Sequence, residues 1–296
     1  MNRQIITLMR PHQWLKNVFV FTPLFFDRHA ADWCYVFPSL LAFVSFCLAA
    51  SGIYCFNDIQ DADSDRLHPV KRMRPVASGA VSKRAAYVAM CTLWIAAFIL
   101  AGACSLCGDG SHSGLTGTLL FYIVMNIAYC VKLKQIALLD VFIIATGFVL
   151  RIVAGGQATG IVLSHWIVLT TFLLSLFLAV AKRRDDVAIY ESSGIKARKN
   201  VVRYNMDFLN QAIGVLGSIT IVCYILYTVS SDVVERIGSS YLYVTSVFVL
   251  AGILRYMQLT IVDRKGGSPT KVLLHDRFIH LCIAGWVISF SIILYA

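Results

Sequence analysis

Residues Asn57–Ser78 read NDIQDADSDRLHPVKRMRPVAS. Four aspartates, Asp58, Asp61, Asp63 and Asp65, fall within eight residues, and Arg66, Lys71, Arg72 and Arg74 follow at once. The stretch lies between two long apolar runs. Carboxylates crowded in this way repel one another unless a hard cation sits among them. Mg²⁺ takes a few carboxylate oxygens and completes its shell with water and substrate phosphates. The bases behind the acids are natural partners for those phosphates. The stretch therefore predicts a Mg²⁺–diphosphate site at a membrane surface.

The composition around it agrees. The chain has 296 residues, is 58% hydrophobic and 14% charged, and has a mean hydropathy of +0.72. A soluble domain carries roughly a quarter charged residues. Nine apolar segments are of spanning length, about 17–25 residues each: 13–27, 33–56, 85–107, 115–131, 136–154, 161–181, 210–230, 240–262 and 278–295. The expectation is an all-α polytopic membrane protein, about nine transmembrane helices in one bundle and one domain over 1–296. The segment ends that alternate to one side carry 22 Lys and Arg, and those on the other carry 2. This asymmetry predicts a cytoplasmic N-terminus, an outer C-terminus and cytoplasmic loops at 57–84 and 182–209. The net charge of +10 follows from topology and calls for no nucleic acid. The nine cysteines lie mostly in spans and act as small apolar groups. Cys104 and Cys107 form a lone CxxC with no second pair, and His12, His68 and His275 are isolated.

Asp58, Asp61 and Asp65 are spaced by three and four residues. On a helical extension of the second span they share one face. Asn57 lies one turn before Asp61, and Asp63 points to the opposite side as a solvated charge. A second polar cluster, Lys182-Arg183-Arg184-Asp185-Asp186, follows the sixth span, four spans after the first cluster. That spacing suggests a duplication, with the two clusters facing each other across a bundle. Lys182, Arg183 and Arg184 also suit plain membrane-interface anchors, and both readings stand. Arg10 and Lys16 are placed to hold a lipid phosphate or to snorkel. Tyr129, Lys132 and Lys134 end the fourth span, with Lys132 as a phosphate ligand, and Asp140 opens the fifth. Arg151 lies deep in the fifth span, where a structural role is expected.

NDIQDADSD resembles the NDxxDxxxD motif of UbiA-superfamily intramembrane transferases. RPHQWLKN at 10–17, KRMRP, KLKQIALLDVFIIATGFVLRIVAGG at 132–156, AKRRDD at 181–186 and PTKVLLHDR at 269–277 resemble its phosphoribosyltransferase branch. The resemblance implies that Asn57, Asp61 and Asp65 ligate Mg²⁺, with Asp58 supporting them and Asp58, Asp61 and Asp65 as the catalytic acids. Asp185 and Asp186 would add a second metal-binding pair. Arg10, Lys16, Asn17, Lys71, Arg72, Arg74, Tyr129, Lys132, Lys182, Arg183 and Arg184 would bind substrate. Many members carry a second motif with acids four apart, whereas Asp186 is followed four residues later by Tyr190. The reaction implied is Mg²⁺-dependent transfer of 5-phosphoribose from phosphoribosyl pyrophosphate to a polyprenyl (decaprenyl) phosphate. It releases pyrophosphate and makes a precursor of cell-envelope pentoses. Two alternatives stay open: prenyl transfer from a polyprenyl diphosphate to an aromatic acceptor, and a non-catalytic lipid-phosphate carrier. The implied setting is the cell membrane with the site facing the cytoplasm. A homo-oligomer is compatible with the sequence.

Overall fold

In lipid every backbone N–H and C=O must be paired within its own segment, so long apolar runs become helices. A computed structural model of the chain describes residues 3–27, 29, 31–67, 71–106, 114–194, 199–263, 272 and 274–295. Among these residues every regular element is a helix and none is a strand. Among the described residues eight helices are long and apolar enough to cross a membrane. Cys107 of the CxxC, His68 and most of 269–273 lie outside the described residues.

Two compact units emerge, Met1–Lys134 with Gly147–Leu163, and Gln135–Thr146 with Ser164–Ala296. The first contains α1 (Arg3–Met9), a 3₁₀ helix (Pro11–Phe21), α2 (Thr22–Phe26), α3 (Trp33–Arg66), α4 (Lys83–Leu106), α5 (Gly114–Val131) and the C-terminal half of α6 (Leu139–Thr159). The second contains the start of α6, α7 (His165–Ser193), α8 (Met206–Val229), α9 (Ser231–Ile237), α10 (Ser246–Ile261) and α11 (Arg277–Tyr295).

The first expected span, 13–27, is not one α-helix. Pro11 precedes it and Pro23 lies within it, and the chain runs as the 3₁₀ helix followed by the five-residue α2. A 3₁₀ helix rises about 2.0 Å per residue and an α-helix about 1.5 Å. Together the two pieces cover roughly 30 Å, the thickness of a hydrocarbon core. A 3₁₀ run of this length is uncommon, and tertiary contacts hold it. Trp14 Nε1 donates to Ser51 Oγ at 3.0 Å, and Ser51 Oγ donates to the Met9 carbonyl at 2.9 Å. On α6, a Cβ at Gly155 would collide with the Val20 carbonyl, so only glycine admits the 3₁₀ helix there.

α3 is the central element of the first unit. Asp32 caps it, accepting from the Cys34 N–H at 3.0 Å. Its buried side chains point in all directions rather than along one stripe, and α4, α5 and the 3₁₀ helix pack on it. A Cβ at Gly52 would strike the indole of Trp94 on α4, so the small residues Ala49–Gly52 set that close approach. Val20, Phe46, Leu115, Leu119 and Ala154 are fully buried in this core. In the second unit α7 packs on α8 and α10 on α11, around Phe177, Leu209, Ile213 and Tyr256. Ile95, Ile99, Phe121, Val222, Leu226, Leu281 and Ile288 are exposed. Large apolar side chains left exposed on each unit suit contact with lipid.

The second polar segment differs from the loop expected at 182–209. α7 runs unbroken through Lys182–Asp186 to Ser193 and stops at Gly194, whose φ of 68° suits a glycine C-cap. Asn205 then caps α8 by accepting from the Phe208 N–H at 2.8 Å.

Candidate active site

The last turns of α3 carry the acidic set on one face, as the three-and-four spacing predicts. Asp58 and Asp65 are 1% and 3% exposed, and bases reach them from two other segments. Arg10 Nη2 donates to Asp58 Oδ1 at 2.6 Å. Arg74 Nη1 donates to Asp65 Oδ2 at 2.7 Å and lies 3.5 Å from Asp58 Oδ1. Asp58 Oδ2 is buried and has no hydrogen-bond partner among the described residues. Arg10 has φ 51° and ψ 59°, a left-handed conformation uncommon for a residue with a Cβ. This kink between α1 and the 3₁₀ helix turns its guanidinium over the Tyr54 ring, 5.0 Å away, and onto Asp58. Asp63 is exposed and pairs with Arg66 and Lys83, the solvated charge expected of it.

Lys134, on a 3₁₀ turn (Leu133–Gln135) just after α5, closes the cluster. Its Nζ lies 2.7 and 2.9 Å from the two oxygens of Asp61 and 3.5 Å from Asn57 Oδ1. Lys132 is exposed. The segment after α3 folds back under Arg66, whose Nε donates to the Ala77 carbonyl at 3.2 Å. Gly79, at φ 80°, makes the turn. Lys71 is half-buried and Arg72 exposed beside Arg74.

In the second unit Arg183 is 1% exposed and Asp140 fully buried, with Arg183 Nε 3.0 Å from Asp140 Oδ2. That contact is a charge pair outside hydrogen-bonding alignment. Arg183 Nη1 donates to Asp186, and Nη2 is buried with no hydrogen-bond partner among the described residues. Tyr204 OH donates to Asp140 Oδ1 at 3.1 Å and accepts from the Leu138 N–H at 2.7 Å. Burial pushes the Tyr204 phenol up to about 12, so the hydroxyl keeps its proton. Arg184 has another task. It donates to Asn210 Oδ1 and to the carbonyls of Thr260 and Ile261, capping the end of α10. Lys182 and Asp185 are half-buried beside them.

Other expected residues sit elsewhere. Asn17 is fully buried. It accepts from Arg151 Nε at 2.7 Å and donates to Cys47 Sγ at 3.2 Å. Arg151 also donates to the Gly147 carbonyl and the Tyr122 hydroxyl, the structural role expected of it. Tyr129 packs on the first-unit core, and Lys16 is half-buried. The sequence noted Lys134 and Asp140 without assigning them a role. Tyr204 carried no signal.

Among the described residues no three His, Cys, Asp or Glu side chains are arranged to enclose a metal. The donor set still suits a hard divalent cation. The side-chain ligands available are all oxygens, one Asp58 oxygen is unpartnered, and a single cationic group already sits between Asp61 and Asn57. Mg²⁺ needs only one or two carboxylates when phosphates complete its shell.

The UbiA prenyltransferase family matches residues 19–282. The decaprenyl-phosphate phosphoribosyltransferase of Mycolicibacterium smegmatis is 33% identical, over 96% of this chain and 90% of that protein. Its counterpart in Corynebacterium glutamicum is 32% identical, over 98% and 86%. A UbiA homologue from Archaeoglobus fulgidus, solved bound to GPP and Mg²⁺, superposes with a TM-score of 0.72 at 20% identity, over 98% of this chain and 99% of that one.

Proposed function

Because this chain belongs to the UbiA prenyltransferase family, we propose that it transfers 5-phosphoribose from phosphoribosyl pyrophosphate to a polyprenyl phosphate. The observation that carries the reading is its near full-length identity to curated decaprenyl-phosphate phosphoribosyltransferases. The C1–O bond to pyrophosphate breaks as the lipid phosphate bonds to C1. The product is polyprenyl-phosphoryl-5-phosphoribose, and pyrophosphate leaves with the bonding pair. The nucleophile is already an anion, so no strong general base is needed.

The demand falls on the departing pyrophosphate, whose charge grows as the ribose becomes oxocarbenium-like. Asn57, Asp61 and Asp65 would hold a Mg²⁺, which would supply positive charge against that development. Arg74, with Lys71 and Arg72 beside it, supplies charge-assisted donors to the same oxygens. Arg10 fixes Asp58 from the other side. Lys182 and Arg183, whose Nη2 has no hydrogen-bond partner among the described residues, are assigned to another phosphate, and Asp186 holds Arg183 in place. The chain is a multi-pass protein of the cell membrane with its acidic helix end facing the cytoplasm, where a water-soluble donor is found. The distribution of Lys and Arg supports that side.

The test incubates the purified, lipid-reconstituted chain with ribose-labelled phosphoribosyl pyrophosphate, decaprenyl phosphate and Mg²⁺. Label in the lipid phase and free pyrophosphate are expected in equal amounts. A protein that ignores this donor but prenylates an aromatic acid would overturn the reading.

A further inference from the structure

Three basic side chains hold the acids of α3, and they differ in one respect. Arg10 and Arg74 are bound to Asp58 and Asp65, which are 1% and 5% exposed at the side chain. Lys134 is bound to Asp61, which is 27% exposed, and Lys134 itself is 20% exposed. Breaking a pair on a buried acid leaves a charge stranded away from water. Breaking a partly solvated pair is cheap. Lys134 is therefore the base that leaves most readily, and its ammonium lies in the oxygen set that Asp61 and Asn57 would offer a metal. Among the described residues Asp61 makes no other ion pair.

We propose that Lys134 is a built-in placeholder for the divalent cation: it neutralises Asp61 and donates to Asn57 Oδ1 when metal is absent, and it gives up that position when metal arrives. This rests on the reading of the α3 acids as a metal–diphosphate site. An ammonium lies 2.7–2.9 Å from its carboxylate oxygens here, while Mg²⁺ demands about 2.0–2.1 Å. An ion at that range would occupy the space the ammonium fills beside Asp61 and Asn57, and the two like charges repel. Once displaced, the flexible Lys134 chain carries its positive charge to the phosphates that accompany the metal, where a compact point charge is useful. Free metal alone must compete with the ammonium, so it binds weakly. Metal arriving with a diphosphate gives Lys134 a new partner, so it binds well. The site charges only when the donor is present, and the Asp61 carboxylate is never left bare.

The experiment uses the full chain in detergent and Mn²⁺ as the probe, titrated by electron paramagnetic resonance with no phosphate or lipid substrate added. Lys134→Met should tighten Mn²⁺ binding by roughly fivefold or more, the usual size of a coupling between two sites. Lys134→Arg, whose planar fork grips Asp61 with two bonds, should weaken it severalfold. The gain in Lys134→Met should vanish when Asp61→Asn is added. Affinity in Lys134→Met equal to or weaker than wild type overturns the proposal. A gain that survives Asp61→Asn overturns it as well, because the ion then sits elsewhere. Should Lys134→Met fail to fold, unchanged affinity in Lys134→Arg decides against it. No sugar donor enters the titration. A failed pentosyl-transfer assay therefore leaves this result standing, and a failed titration leaves the transfer assay untouched.

Discussion

Asp140→Asn tests the buried charge pair of the second unit. Asp140 has no exposed surface, and Arg183, its partner at 3.0 Å, is 1% exposed. The substitution keeps the size of the side chain, so no cavity contributes. It leaves the guanidinium with Asp186, 14% exposed at the side chain, as its remaining acid. Removing one member of a buried pair costs about 3–5 kcal/mol. The asparagine amide oxygen can still accept from Tyr204, which recovers about 1 kcal/mol. The expected loss is therefore about 2–4 kcal/mol, and at roughly 2–4 °C per kcal/mol the apparent Tm should fall by roughly 4–16 °C. Thermal unfolding of the detergent-purified protein, followed by tryptophan fluorescence, measures it. Removing both charges in Asp140→Leu/Arg183→Met should restore most of the loss, since no charge is then left stranded. An Asp140→Asn protein with unchanged Tm would refute the argument. So would a double variant whose loss equals the sum of the two single losses, because additivity means that the pair is not coupled.

Asp61→Asn and Asp65→Asn should each remove most transferase activity from a protein that still folds and inserts, and EDTA should abolish activity in the wild type; near-normal turnover in both variants at low Mg²⁺ would sink the metal assignment. A reporter fused after Ala296 should appear outside the cytoplasm and one inserted near Gly194 inside, and finding both on one side would show that the count of nine spans is wrong. Arg255 lies 2.8 Å from Asp276 and holds its carboxyl below the ordinary carboxylate value. The stability this adds is complete above about pH 4 and is lost as pH falls through the lowered value. Asp276→Asn should therefore be less stable than wild type at neutral pH and show a shallower acid limb in Tm against pH; superimposable limbs would rule the linkage out.

Eight of the nine expected spans fall on eight long helices because hydrophobic length alone dictates helix in lipid. The first departs because hydropathy is blind to backbone type, and the prolines at 11 and 23 give a 3₁₀ helix and a short α-helix with the same reach. The Lys182 segment was read as a loop because a run of charges ends an apolar stretch. Charge marks the membrane edge, while helix ends are set by caps, here Gly194. The acidic face of α3 was legible since helical spacing fixes it. Its bases were less so. Lys134 and Lys132 are equivalent by composition, and the 3₁₀ turn that brings one to Asp61 breaks the periodicity that could have told them apart. The Asn17–Arg151 bond joins residues 134 apart, and Tyr204 reaches Asp140 across 64. Pairings of that range leave no trace in a single sequence.

α3 is one uninterrupted rod of 34 residues, about 51 Å long at 1.5 Å per residue. Its apolar stretch, 33–56, would measure about 36 Å, more than the roughly 30 Å of an average hydrocarbon core. With no break between the membrane stretch and the aspartates, the excess is taken up by tilting the rod, and the acids move with it. Their height above the headgroups is therefore tied to the angle of a single helix, which its packing against α4, α5 and the 3₁₀ helix sets.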